Sequence, residues 1–468
     1  MPKCLQNLSD QAVPVFAVKT DDFDEWLTTQ EGQTHAWAKN AGFTAQAGKT
    51  LLLPGENGEL SGVVYGLGGD AGLETGPWIW SALYAGLPAS GLFQMASDLT
   101  AADAHNLALG FALGSYTYDQ YRTTKSDKTD GPSLVWPQAC DRDAVRRAYG
   151  ATKMVRDLVN APASDLGPEQ LAGAAKDLAE ASDAKYSEIV GVDLIREGFP
   201  AIYAVGRGSE ESRAPRLVDF TWGDKDAPKV TLVGKGVTFD TGGLDIKSAA
   251  GMKIMKKDMG GAAHALGLAS MIMSANLKVR LRVLIPAVEN SVSAAAMRPL
   301  DVISTRKGLT LEIGHTDAEG RVILADALAL ACEEKPDLIL DFATLTGAAR
   351  VALGPDLPAL FCNDEDLAAE ILKASEQTSD PLWRMPLYGP YKPQIKGKVA
   401  DLRNDTDSPY AGAIMAGLFL ESFVDDGLAW AHVDLMAWNV RSRPGRPEGG
   451  EALTLRTMFK VLEDRYGN

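Results

Sequence analysis

Cysteine is scarce in this 468-residue chain, with four residues at positions 4, 140, 332 and 362 and no Cys-x-x-Cys pair. Thiols spread this widely exclude a disulfide framework and a zinc–thiolate site, and they imply a reducing compartment, so the cytoplasm is the expected location. Histidine is nearly as rare: His35, His105, His264, His315 and His432 are all there are. None belongs to a His-Glu-x-x-His pattern, so a mononuclear zinc site built on imidazoles lacks its ligands. The chain also lacks a Gly-x-Ser-x-Gly elbow and a Gly-x-x-x-x-Gly-Lys-Ser/Thr phosphate loop. No apolar run approaches the roughly 20 residues that cross a bilayer, and the first ten residues lack the basic-then-apolar layout of a signal peptide. Positive charge is in deficit, with 46 Lys and Arg against 62 Asp and Glu, a net charge of −16. That sign disfavours non-specific binding to nucleic acid or anionic membrane, although it leaves room for a local basic patch.

What is present is ordinary globular material, 46% hydrophobic and 23% charged, in a length that suits two domains. Residues 13–18, 50–53 and 60–65 are strand-like, and 101–121 carries apolar residues at helical spacing. The polar stretch 123–132 reads as loop. A charged helix is expected over about 143–159, ended by Asn160-Ala161-Pro162. Beyond it, strand signals at 229–233, 279–285, 309–313 and 338–342 alternate with helical ones at 260–277 and 323–332. That alternation predicts an α/β fold with a sheet covered by helices on both faces. The organisation expected is an N-terminal α/β domain over 1–140, a linker helix over 141–165 and a larger catalytic α/β domain over 166–468.

Three stretches put polar residues at junctions between predicted strands and helices, where open α/β sheets form ligand sites. They are VGKGVTFDTGGLDIK (233–247), MKKDMGGA (255–262) and HTDAEGR (315–321). Asp317 and Glu319, one residue apart, leave the same face of extended backbone and repel unless a proton or a cation lies between them. The plainer alternative for this stretch is a helix cap with acids near the dipole. Lys235, Asp240, Lys247 and Asp258 add two amines and two carboxylates. Singly, each would suit a solvated loop; jointly with Asp-x-Glu they suit a carboxylate-rich binuclear site. A lysine ligates metal only when neutral, and adjacent dications favour that form. Arg321, with its planar fork, suits an anion beside them.

These three blocks, in this order and spacing, resemble the signature of the leucine aminopeptidase (cytosol aminopeptidase) family. RDLVNAP (156–162), AVGRGS (204–209), DFATLTGA (341–348), WRMPL (383–387), VADLRN (399–404), AGAIMAGLFLESF (411–423) and WAHVDL (430–435) extend the likeness. It is strong over about 150–440 and general over 1–140. The resemblance implies a two-metal aminopeptidase in which Asp240 and Glu319 bridge the ions, Lys235 and Asp258 complete one site, and Asp317 completes the other. It implies that Lys247 stabilises the oxyanion, that Arg321 holds a bicarbonate acting as general base, and that Met255, Thr344 and Gly347 line the pocket for the first side chain. It further implies a hexamer, with peptides bearing a free N-terminus as substrates.

The oxygen and amine donors admit zinc or manganese first, and magnesium or cobalt besides. His315 stands where the family usually has Asn; an ordinary substitution, an outer influence on the ligands and an extra ligand are the alternatives. Thr241 and Gly397 each replace a frequent Ser, and residues 441–458 match poorly, which leaves one pocket wall unassigned. The competing functions are a binuclear dipeptidase and a DNA-binding or regulatory role on the same scaffold.

Overall fold

The computed structural model describes residues 2–7, 12–69, 75–123 and 131–467. The chain divides into two compact units: residues 1–153 with 441–448, and residues 154–440 with 449–468. The division falls inside the helix Arg142–Asn160. Asn160 is followed by Ala161-Pro162, where the pre-proline residue resists helical backbone. The short segment 441–448, for which the sequence carried no signal, joins the first unit. There the Arg446 guanidinium lies 3.6 Å from the centre of the Trp78 ring and Ser81 Oγ donates to the Pro444 carbonyl at 2.9 Å.

The first unit holds six strands, β1 (Leu5–Gln6), β2 (Val13–Lys19), β3 (Thr50–Pro54), β4 (Leu60–Gly68), β5 (Leu92–Met95) and β6 (Ser133–Val135), ordered β1-β6-β5-β2-β4-β3. Only β3 runs antiparallel to its neighbour. The helical spacing at 101–121 produces a shorter helix, Ala101–Gly114. Ser115 ends it by turning its hydroxyl back onto the Ala112 carbonyl at 2.7 Å, which competes with a further helical turn. The stretch 123–132 lies largely outside the described residues.

The second unit contains β7 (Lys185–Val190), β8 (Arg216–Trp222), β9 (Lys229–Gly234), β10 (Gly236–Asp240), β11 (Arg280–Asn290), β12 (Val302–Ser304), β13 (Thr310–Glu312), β14 (Leu338–Ala343), β15 (Ala359–Cys362), β16 (Trp383–Arg384), β17 (Leu402–Arg403), β18 (Trp430–Asp434), β19 (Trp438–Asn439) and β20 (Gly449–Gly450). Its nine-stranded sheet runs β16-β15-β18-β14-β9-β11-β8-β7, with β10 also on β11. The centre, β18-β14-β9-β11, is parallel, while β15, β8 and β7 make antiparallel pairs. This is a mixed sheet. β9, β11, β14 and β18 are buried along nearly their whole length because both faces are covered. The Gly260–Ser274 and Glu319–Glu333 helices supply much of that cover.

The 234–247 stretch is not wholly the loop that its glycines suggested. Gly236–Asp240 pairs in parallel with β11, so Lys235 sits at a break between two strands. Among the described residues no helix is long and apolar enough to cross a membrane, and all four cysteines are free.

Candidate metal centre and active site

The parallel strands end on one edge, and the polar stretches gather there. Lys235 follows β9, and its backbone is pinned on both sides: its N–H donates to Phe342 O at 2.9 Å and its carbonyl accepts from Ala262 at 2.8 Å. Two glycines make room for it. A Cβ on Gly261 would stand 2.0 Å from the Phe342 carbonyl, and one on Gly320 would stand 2.4 Å from Lys235 Cε. The lysine side chain thus passes directly over the first turn of the Glu319–Glu333 helix.

Its amine lies 2.8 Å from Asp258 Oδ2, 2.9 Å from Glu319 Oε1 and 3.3 Å from the Thr344 carbonyl. Lys247 makes the matching contact on the other side, 2.8 Å from Asp240 Oδ2 and against Asp317 Oδ1. Ligand atoms of Asp240, Asp317 and Glu319 lie within 4.8 Å of one another. All five residues singled out for metal therefore converge, together with Lys247. Lys235, Asp240, Asp258 and Glu319 are buried and Asp317 is half-buried.

Like charges this close distort one another. Burial raises Asp240 to about 6, with Asp258 adding to the rise and Lys247 and Lys235 opposing it. Glu319 is pushed well above the carboxylate range by burial and then by Asp240. Burial would also raise Asp258, but Lys235 and Lys257 outweigh it and leave that group at about 2. Burial works against charge on Lys235 and Lys247, yet the surrounding carboxylates hold both amines above their ordinary range. The second oxygen of Glu319 is buried and has no hydrogen-bond partner among the described residues. A buried carboxylate oxygen without a donor is costly, and a bound cation removes that cost. Four carboxylates and one amine, without thiol or imidazole, form a donor set that suits divalent ions with a taste for oxygen and nitrogen.

Several residues that build the cage escaped the sequence. Asn290, at the end of β11, donates through Nδ2 to Asp240 Oδ1 at 2.8 Å and to the Thr316 carbonyl at 3.2 Å. Gly242 N–H takes the same Asp240 oxygen at 2.8 Å, which leaves Oδ2 turned to the centre. Thr316 ties two blocks together: its N–H donates to Asp245 Oδ2 at 2.8 Å, and its hydroxyl donates to the Gly242 carbonyl while accepting from Asp245 N–H. Asn404 accepts from the N–H groups of Gly314 and His315 and donates to the carbonyls of His315 and Ala318. Gly242 and Thr316 lie inside the 233–247 and 315–321 stretches and Asn404 inside the VADLRN block, whereas Asn290 carries no advance signal.

His315 Nδ1 accepts from Asp317 N–H at 3.1 Å and lies 3.7 Å from Asp245 Oδ2, on a half-exposed side chain. Arg321 stands 5.9 Å over the Phe419 ring, within the charge field of Glu319, Asp434 and Asp405; burial lowers its pKa. Met255 is buried in the 3-10 turn that ends at Met259, Thr344 bonds Asp258, and Gly347 opens an exposed helix start behind its cap Thr346.

The comparisons name the class. Residues 153–459 match the cytosol aminopeptidase family catalytic domain, and residues 13–132 match the M17 aminopeptidase N-terminal domain. A probable cytosol aminopeptidase of Rhodococcus jostii is 38% identical over 81% of this chain and 78% of its own. The crystal structure of the cytosol aminopeptidase from Coxiella burnetii superposes with a TM-score of 0.93 at 49% identity, covering 99% of each chain. The bottromycin maturation enzyme BotP in complex with Mn gives 0.87 at 34% identity, over 97% of this chain and 99% of that one. Fold and likeness together define a metal-dependent peptidase. The chain belongs to the cytosol aminopeptidase family and is a metal-dependent aminopeptidase, a hydrolase of peptide bonds.

Proposed function

We propose that this aminopeptidase works through two divalent cations held by Lys235, Asp240, Asp258, Asp317 and Glu319, and that it removes leucine-like N-terminal residues from peptides. Two such ions supply Lewis acidity and a water that ionises near neutral pH. The observation that carries the proposal is the convergence of these five side chains from three separated stretches on one cage, with Glu319 Oε2 left unpartnered.

Asp240 and Glu319 would be shared by the two ions, Lys235 and Asp258 would complete one site, and Asp317 would complete the other; the contacts of Lys235 with Asp258 and Glu319 and of Lys247 with Asp240 and Asp317 support that division. Lys247 is the donor for the developing oxyanion, since its amine reaches the carboxylates at the centre from a partly open position. Arg321 would hold a bicarbonate, which would supply a general base beside the metals. Met255, Thr344 and Gly347 form the wall of the first side-chain pocket. Zinc or manganese suits the donors first, with magnesium and cobalt also admitted; manganese is the ion of the BotP complex. A homohexamer in the cytoplasm completes the proposal.

The test is to strip the protein with a chelator, restore single metals and compare free with N-acetylated leucyl peptides. Cleavage that returns with metal and only on the free amine is expected. Equal cleavage of both peptides overturns the requirement for a free N-terminus.

A further inference from the structure

Asp434 closes β18 and is 3% exposed, yet it is not placed among the metal or substrate groups. Its carboxylate takes the N–H of Leu345 at 3.0 Å, the N–H of Thr346 at 3.1 Å and the Thr346 hydroxyl at 2.6 Å. Charge-assisted bonds of this kind are strong enough to offset the burial of a carboxylate and to immobilise what donates them. The donors follow Thr344 directly, where β14 ends. Thr346 Oγ1 also accepts from Ala349 N–H at 3.1 Å, so the turn is tied at its far end to the next helix.

The near end reaches the cage. Thr344 Oγ1 lies 2.8 Å from Asp258 Oδ1 and 3.0 Å from the Asp258 carbonyl. With Oδ1 occupied, Asp258 presents Oδ2 to the Lys235 amine at 2.8 Å. One buried carboxylate on β18 therefore decides where a hydroxyl just past the end of β14 sits, and that hydroxyl decides which way Asp258 points.

We propose that Asp434 is a positioning residue that, through the Leu345–Thr346 backbone, holds Thr344 against Asp258 and orients Asp258 for its metal ion. The proposal rests on Lys235 and Asp258 holding one of the two ions. It predicts an asymmetric defect: loosening the turn weakens the Lys235–Asp258 ion and spares the one beside Asp317.

The experiment reads metal retention by the full chain, by elemental analysis after dialysis against graded free manganese, alongside thermal melting and kcat and KM. Wild type is expected to hold two ions per chain. Asp434→Asn keeps the shape but cannot accept the Thr346 hydroxyl through its amide nitrogen. Thr344→Val removes the second link at nearly constant volume. Both should weaken one binding step about 10- to 100-fold, leave the other unchanged and lower kcat. Thr344→Ser, which keeps the hydroxyl, should restore retention, an outcome that a purely packing role does not give. If Asp434→Asn fails to fold, Thr346→Val removes one of its bonds more gently and should shift the same step. Wild-type retention in Asp434→Asn, or equal weakening of both steps together with a lowered Tm, overturns the positioning role. A wild type that binds fewer than two ions overturns the two-ion reading itself, and is told apart by appearing before any substitution is made.

Discussion

Glu319 meets the Lys235 amine at 2.9 Å through Oε1, while its Oε2, buried in the same cage, has no hydrogen-bond partner among the described residues. Replacing this carboxylate by an isosteric amide removes a charge that only a cation fully compensates. Glu319→Gln should therefore leave the metal-free protein folded but abolish most of the rise in Tm that divalent metal gives wild type. Differential scanning calorimetry with and without manganese checks this. An undiminished rise would remove Glu319 from the ligand set.

The role proposed for Lys247 differs from that of the proposed ligands. Its side chain is 15% exposed and reaches Asp240 and Asp317 from the open side of the cage. Lys247→Ala should keep the metal content of wild type and lose turnover on the order of a hundredfold or more, because oxyanion donors act mainly in the transition state. Elemental analysis and steady-state kinetics on one preparation decide it; loss of metal would make Lys247 a ligand instead.

Asn404 serves four backbone groups of the loop that delivers Asp317 and Glu319. Asn404→Ala leaves them unpaired in a buried place, at a cost of about 3 kcal/mol or more. Urea denaturation should show that loss, and the fall in activity should exceed what the unfolded fraction explains. A variant as stable as wild type would mean that water takes over the role of the amide.

His264 predicts an acid limb in stability. Nδ1 faces the Gly260 carbonyl at 2.6 Å, and Nε2 accepts from Leu453 N–H at 3.0 Å, so the ring is neutral with its proton on Nδ1. Burial lowers its pKa to about 4, against the smaller opposing pull of the Gly260 carbonyl, Asp380 and Glu451. Between about pH 6.5 and 4 the unfolded chain binds the proton and the folded chain does not, so stability falls as pH falls through that window. The loss is complete below pH 4, at about 3 kcal/mol. Urea midpoints at pH 7, 5 and 4 should decline more steeply for wild type than for His264→Gln; parallel declines would clear His264 of the effect.

Much of the site was legible because its chemistry is local. Asp317 and Glu319 sit one residue apart, and Lys235, Asp240 and Lys247 fall within one glycine-rich stretch. Strong spacing of this kind survives into the fold, since each short segment carries its ligands on one turn or strand end. Asn290 was not legible, and Asn404 and Asp434, though inside the VADLRN and WAHVDL blocks, showed nothing of their roles, because each acts on residues tens of positions away. Likewise, Gly236–Asp240 became a strand only because β11 lies beside it to receive its hydrogen bonds.

By itself the sequence determined the alternation of strands and helices, the excess of acid over base, and the set of carboxylates and amines available for chemistry, all of which follow from residue type and short-range spacing. Only the tertiary structure decided that Lys235 passes over Gly320 to meet Glu319, and that a side-chain amide, a backbone N–H and a hydroxyl from separate segments fix one oxygen each of Asp240 and Asp258. The physical reason is that a hydrogen bond has direction and a reach of about 3 Å, and contacts of that range between remote segments exist only once the sheet has brought its strand ends together.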